Sequence, residues 1–265
     1  MMRARFFAHP ITRIVVGIAV VIAATFITMA VVDSLVPNSL RVACPVPLAT
    51  LTGVLGYRFF FSRVEKRAIT ELALPGAAHE AATGIAVGAV LGLLVAGVLA
   101  IVGSFFVSGS NGWSVMFKSL PEQVMVACFE ELLFRGVLFR IVEQRWGTRT
   151  SLIVSFVAFA LAHLPNGHVS LLAILVTGVA GVTFSACYML TRRLWLSMGV
   201  HLGWNYLYDG LFAVPVSGHA ARGWLQVAMP GPDWLTGGSY GVEASVMTLL
   251  VWGAAAILLL RRVPK

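Results

Sequence analysis

The chain has 265 residues, of which 58% are hydrophobic and only 11% charged, and its mean hydropathy is +0.88. Soluble domains carry about 25% charged residues, so the composition excludes a soluble globular protein and indicates a polytopic membrane protein. The net charge of +8 does not call for nucleic acid: no basic stripe is interleaved with aromatics, and basic residues flanking apolar runs meet anionic headgroups.

Taken in chain order, apolar runs of about 20 residues predict an all-α fold with about eight transmembrane helices, near 14–36, 43–62, 83–107, 121–141, 150–164, 168–190, 194–213 and 242–260. The first follows Met1-Met2-Arg3-Ala4-Arg5 and lacks a clean small-residue cleavage site, so it is expected to remain as a signal anchor. The second contains Pro45, Pro47 and Arg58. The polar stretch Arg63–Glu80 reads as a cytoplasmic connector. In the third run, Gly84-x-x-x-Gly88-x-x-x-Gly92 has the spacing of close helix packing, within the chain or with a partner. The fifth run is short, ending at Leu164-Pro165, and the sixth follows a tight Pro-Asn-Gly turn. Pro215–Glu243 reads as an outer loop, with Trp224 and Trp234 suited to an interfacial belt.

Charge orients these helices. With the N-terminus inside, the inner segments hold Arg3, Arg5, Arg13, Arg58, Arg63, Lys66, Arg67, Arg135, Arg140, Arg145, Arg149, Arg192, Arg193, Arg261, Arg262 and Lys265. Outside stand Arg41, Lys118 and Arg222. This bias predicts cytoplasmic termini and fits a bacterial cytoplasmic (inner) membrane. Three regions follow: helices and connector over 1–118, a core over 119–213 that holds nearly all the intramembrane polar residues, and an outer loop with the last helix over 214–265. Cys44, Cys128 and Cys187 have no metal-ligand spacing and do not form a disulfide framework.

The polar residues of the core carry the chemistry. Glu130 and Glu131 are adjacent in an apolar stretch, and a carboxylate at the bilayer centre costs about 3 kcal/mol. Glu131 and Arg135 are four apart, share a helix face and form a structural pair. Glu130 is rotated by about 100° from Glu131 and has no local basic partner. Phe159 and His163 share a face of the fifth helix, and Pro165 frees backbone carbonyls for the imidazole. His201 and Asn205 share a face of the seventh, where they serve as glue between helices or as preorganised donors for an oxyanion. A carboxylate beside an imidazole in a low dielectric can hold a water and take its proton.

Glu130-Glu131-x-x-x-Arg135, Phe159-x-x-x-His163 and His201-x-x-x-Asn205, in that order, resemble the three signatures of the CPBP family. These are the CAAX-protease and bacteriocin-processing (abortive-infection) intramembrane proteases, or type II CAAX prenyl endopeptidases. Phe134-Arg135-Gly136, Ala162-His163-Leu164-Pro165-Asn166-Gly167 and Arg193-Leu194-Trp195 add to the likeness, which covers about 119–213. The resemblance implies a glutamate protease in which Glu130 and His163 activate water, His201 and Asn205 form the oxyanion hole, and Glu131, Arg135 and Phe159 support them. Its substrate would be a membrane-associated peptide or protein. Family members are described both as glutamate and as metalloproteases. Glu130, His163 and His201 make a carboxylate-plus-two-His set, yet His-Glu-x-x-His is absent and no Cys is near, so hydrolysis without a cofactor is the expectation. A proton- or ion-coupled transporter using Glu130 and His163 as a relay, and a silent scaffold or bacteriocin-immunity protein, are the alternatives. Straight helices leave His163 outward of Glu130, and a tilted or recessed fifth helix is expected to close the gap. Outside the motifs, His168, His9, His79 and His219 read as loop residues, and Asp209 has no second intramembrane aspartate to form a dyad.

Overall fold

The computed structural model describes residues 9–37, 40 and 44–264. Met1 to Arg5, Arg41 and Lys265, which enter the signal-anchor and charge readings, lie outside the described residues. The fold is all-α, with helices α1 (Pro10–Leu35), α2 (Pro45–Phe59), α3 (Ala77–Ile101), α4 (Met116–Glu131), α5 (Arg140–Ala162), α6 (Leu171–Thr191), α7 (Trp195–Tyr206) and α8 (Val246–Arg262). Proline opens α1 and α2, where its missing N–H leaves no helical bond unmade. The Ser170 and Ser245 hydroxyls cap α6 and α8, each accepting from one of the free amides of the first turn.

These helices follow the order of the eight apolar runs, but several bounds differ. The third run stops at Ile101, where Gly103 (φ 77) turns the chain. Residues predicted to extend that span instead form strand β1 (Phe106–Ser110), antiparallel to β2 (Leu225–Ala228) in the outer loop. A short apolar run does not distinguish strand from helix by periodicity. The fourth and fifth runs are one hairpin, since α4 passes through a π-helical stretch, Leu132–Phe139, straight into α5. The turn falls inside α5 at Gly147 (φ 83, ψ 168), a backbone position open to glycine and strained for other residues. Among the described residues, three helices are long and apolar enough on their own to cross a bilayer: Pro10–Leu35, Ala77–Ile101 and Leu171–Thr191.

The most extensive packing is α3 against α7, and the glycine spacing explains it. A Cβ on Gly88 would meet the Val200 carbonyl at 2.1 Å, and one on Gly203 the Ile85 carbonyl at 2.3 Å. Small residues on both helices therefore let the backbones touch, as in membrane helix pairs. The glycine stripe serves a contact within the chain. Further round, α6 lies between α5 and α8, and α2 lies between α1 and α4. The outward face of α1 presents Val15, Phe26, Ile27, Val31 and Leu35, an apolar surface suited to lipid.

At the connector end, charges converge. Arg13 grips Glu65 through two bonds of 2.7 Å, and Arg67 and Arg140 stand 3.5 and 3.6 Å from the same carboxylate. Arg67 also pairs with Glu71, as does the Tyr57 hydroxyl, which lies 3.0 Å from the Gly136 carbonyl. Burial pushes the Glu71 carboxyl up, but hydrogen bonds from Arg67 and Tyr57 and the Arg67 charge outweigh it and hold the group below its ordinary range.

Gly88→Ala separates α3 from α7 and lowers stability by about 1–3 kcal/mol, the usual range for overpacking. Gly97→Ala, inside the same helix but where an added Cβ meets nothing within 4 Å, does not lower the thermal midpoint in detergent and raises it slightly, as alanine is the better helix former. Because the folded pKa of Glu71 is depressed, its stabilisation is complete above the ordinary carboxylate range and is lost as pH falls through the folded value. Thermal midpoints measured against pH should therefore show a shallower acid limb for Glu71→Gln than for wild type.

Candidate active site

Glu130 and Glu131 end α4, and their one-residue rotation sends the two carboxylates to different places. Glu131 is fully buried and accepts from Arg135 Nη1 at 2.9 Å. Its Oε1 also lies 3.2 Å from His201 Nδ1. Arg135, fully buried in the π-helical stretch, sends Nη2 to the Gly181 carbonyl at 2.8 Å. That guanidinium lies over the rings of Phe159 at 4.6 Å and Phe184 at 4.9 Å, an arrangement that favours a cation. Glu131 is thus more than the structural partner of Arg135, because it also holds a histidine from another helix.

Glu130 faces the other way. Its Oε2 lies 4.0 Å from His163 Nε2 and 3.9 Å from His201 Nε2, and it makes no hydrogen bond among the described residues. The straight-helix offset of His163 does not occur. Glu130 precedes the Gly147 turn by about as many residues as His163 follows it, so an antiparallel hairpin brings the two level. α5 stops at Ala162 and the chain turns away at Pro165.

Hydrogen bonding fixes the tautomers. His163 Nδ1 is 2.8 Å from the Phe159 carbonyl, which can only accept, so Nδ1 carries the proton. His201 Nδ1 faces the Glu131 carboxylate and is likewise the donor. Neutral, both rings present a bare Nε2 to Glu130, which makes three acceptors around one point. Separations near 4 Å are too long for direct hydrogen bonds and suit one water between the partners. Either that water donates both its protons here, or one imidazole is protonated. The donors of a tetrahedral metal site, each about 2.0–2.1 Å from the ion, stand roughly 3.3 Å apart. Glu130, His163 and His201 are set wider than this, and no group of three or more His, Cys, Asp or Glu among the described residues is placed to hold a metal.

The rings are locked by packing. Phe184 stacks on His201 with centroids 4.7 Å apart and planes 16° apart, and Phe159 lies 4.7 Å from His163. Asn205, one turn beyond His201 and 5% exposed, makes no side-chain hydrogen bond among the described residues and faces the cavity. That cavity, about 640 Å³, holds Glu130, His163, His201 and Asn205 in its wall.

The cavity wall also includes Asp209, set aside in the sequence for want of a second aspartate, and the loop residue His219, together with Glu243, Phe184 and Arg222. Phe184 left no signal in the sequence, being one aromatic in an apolar helix. Asp209 did leave one, since it continues the four-residue spacing of His201 and Asn205. His168 sits at the turn with φ 60 and is exposed.

Replacing one partner of a buried ion pair costs about 3–5 kcal/mol. Glu131→Leu, which strands Arg135, should therefore lower the thermal midpoint sharply. Glu130→Gln, at a side chain 20% exposed, should unfold close to wild type.

No curated protein and no solved structure matches the chain. Residues 111–207 do match a family model, described as type II CAAX prenyl endopeptidase Rce1-like. All three motifs lie inside that match, so the segment that builds this site carries the Rce1-like, type II CAAX prenyl endopeptidase family signature.

Proposed function

We propose that the chain is an intramembrane endopeptidase that hydrolyses peptide bonds in membrane-associated peptides or proteins with water activated by Glu130 and His163. The family match supports a CAAX-type protease. The observation that carries the mechanism is the convergence of Glu130 Oε2 with the Nε2 atoms of His163 and His201, 4.0 and 3.9 Å away, beside an Asn205 amide free to donate. A water held there loses a proton to Glu130 as its oxygen attacks the scissile carbonyl carbon. The carbonyl oxygen becomes an oxyanion and takes hydrogen bonds from the Asn205 amide and His201. With its Nδ1 proton turned to Glu131, His201 donates from Nε2 only as an imidazolium, and the Glu131 carboxylate stabilises that charge. Collapse of the tetrahedral intermediate breaks the C–N bond, and the proton passes to the leaving amine.

In this reading all eight helices lie in the bacterial cytoplasmic membrane, with both termini cytoplasmic and the core over 119–213 flanked by 1–118 and 214–265. No metal takes part. The convergence favours a hydrolase over a transporter, because a relay needs groups strung along a path whereas these surround one point.

The test is cleavage of a fluorogenic membrane peptide by purified protein in proteoliposomes. Glu130→Ala should lose at least about 100-fold in rate, the range for a general base, and wild type should keep its rate in chelator. Equal cleavage by the mutant sinks the mechanism. Activity lost in chelator and restored by a divalent ion overturns the metal-free reading. Cleavage of no peptide favours the scaffold alternative.

A further inference from the structure

The cavity that holds Glu130 continues past the motif residues toward the outer loop, and its charges there are unbalanced. Four carboxylates line it, those of Glu122, Glu130, Asp209 and Glu243, but only one Lys or Arg, Arg222. Arg222 is spent at the rim on Glu122, 3.4 Å away. Glu243 is held by neutral donors alone, the Trp204 indole at 2.9 Å and the Ser217 hydroxyl at 2.7 Å with its amide. Among the described residues Asp209 also has no salt-bridge partner. The Ser119 hydroxyl and the Gln123 amide, the latter at 3.0 Å, both donate to its Oδ2. Asp209 is more than nine-tenths buried, at 7% exposed, and lines the cavity, and both of its side-chain hydrogen bonds among the described residues fall on Oδ2. Burying carboxylates without counter-charge is costly, and neutral donors offset it only in part.

We infer that Asp209 marks a subsite for a cationic group of the substrate, an ammonium or guanidinium, which supplies the missing counter-charge when the peptide is seated. This rests on the endopeptidase reading and adds to it the class of substrate. His201, Asn205 and Asp209 recur every four residues along α7 and its π-helical extension, Leu207–Leu211. At 1.5 Å rise per residue the carboxylate stands about 12 Å along the helix from His201. An extended peptide covers that distance in about four residues. The cation is therefore a Lys or Arg side chain, or a free amino terminus, within about four residues of the scissile bond. The carbonyl to be attacked sits at His201 and Asn205, and the charge sits toward the outer loop. Two carboxylates on one wall then have separate tasks, Glu130 facing the reacting water and Asp209 facing the substrate's charge.

The experiment compares two sets of fluorogenic peptides cut by full-length protein in proteoliposomes. In N-acetylated peptides, lysine is scanned over the five residues on each side of the scissile bond against norleucine, its uncharged near-isostere. A second set keeps norleucine throughout and carries a free amino terminus, which separates the two sources of charge. Wild type should favour one lysine position, or the free amine, by about tenfold or more in kcat/KM, the scale of one charge-assisted hydrogen bond. In Asp209→Asn that ratio should fall toward one. Equal cutting of charged and uncharged peptides by wild type overturns the inference and leaves the protease reading standing. An unchanged ratio in Asp209→Asn overturns the assignment to Asp209. Absence of cleavage in every peptide sinks the protease reading and this inference with it. The wild-type ratio decides the matter even if the variant does not fold.

Discussion

The site depends on one buried carboxylate. Glu131 has no exposed surface and is bound on one side to Arg135 and on the other to His201. Arg135 is fixed in turn by the Gly181 carbonyl on α6 and by two aromatic faces. Three helices, α4, α6 and α7, are thereby joined through one fully buried ion pair. Such a pair does little for net stability compared with apolar side chains of equal volume. What it does supply is orientation. The proton on His201 Nδ1 points to Glu131, so Nε2 points to Glu130. The adjacent glutamates therefore divide the work, the first left unpaired at the cavity because the second has taken the arginine.

The backbone sets the depth at which these side chains meet. Glu130 and His163 come level because Gly147 folds α4 and α5 into a hairpin with arms of nearly equal length. His201 stays at that level because α3 and α7 touch along glycines and cannot slide without driving a Cβ into a carbonyl. A site on helices locked this way needs no loop to hold its geometry, and preorganisation of that kind suits electrostatic catalysis in a dry interior. π-Helical stretches lie at both edges, over Leu132–Phe139 and Leu207–Leu211. One carries Arg135 and the other Asp209.

Much of this was legible in the sequence, for identifiable reasons. Intramembrane charge is so costly that Glu130, Glu131 and Arg135 announced themselves, and four-residue spacing paired Glu131 with Arg135, Phe159 with His163 and His201 with Asn205. The glycine spacing in α3 predicted a close contact, and its partner proved to be α7. Three things were not legible. The β1–β2 pair was hidden because Phe106 and Val107 are as apolar as a helix end. The helix ends beside the Gly147 turn were hidden because polarity around Glu143-Gln144-Arg145 reads as a loop although those residues are helical. The stacking of Phe184 on His201 was hidden because one phenylalanine among many carries no pattern. The depth mismatch anticipated for His163 arose from the second of these, since counting from misplaced helix ends moved the histidine outward.

The proposed hydrolysis has to admit water without dissolving the fold, and the two ends of the molecule differ. At the connector end, Arg13, Arg67 and Arg140 close on Glu65, and Tyr57 joins Glu71 to the backbone at Gly136, next to Arg135. That end is sealed by charge paired with charge. At the outer-loop end the carboxylates meet hydroxyls, an amide and an indole, and the cavity lies among them. Glu243 ties the loop at Ser217 to Trp204, the residue before Asn205, and the Asn166 amide holds the Ser217 carbonyl at 2.9 Å. The loop thus roofs the cavity with polar groups that water can hydrate. In the proposed protease, the route for water and for a charged peptide runs from the outer loop to Glu130, along the α7 face that carries Asp209, Asn205 and His201. The ion pair of Glu131 and Arg135 lies behind that face, out of contact with water, where its full strength is kept.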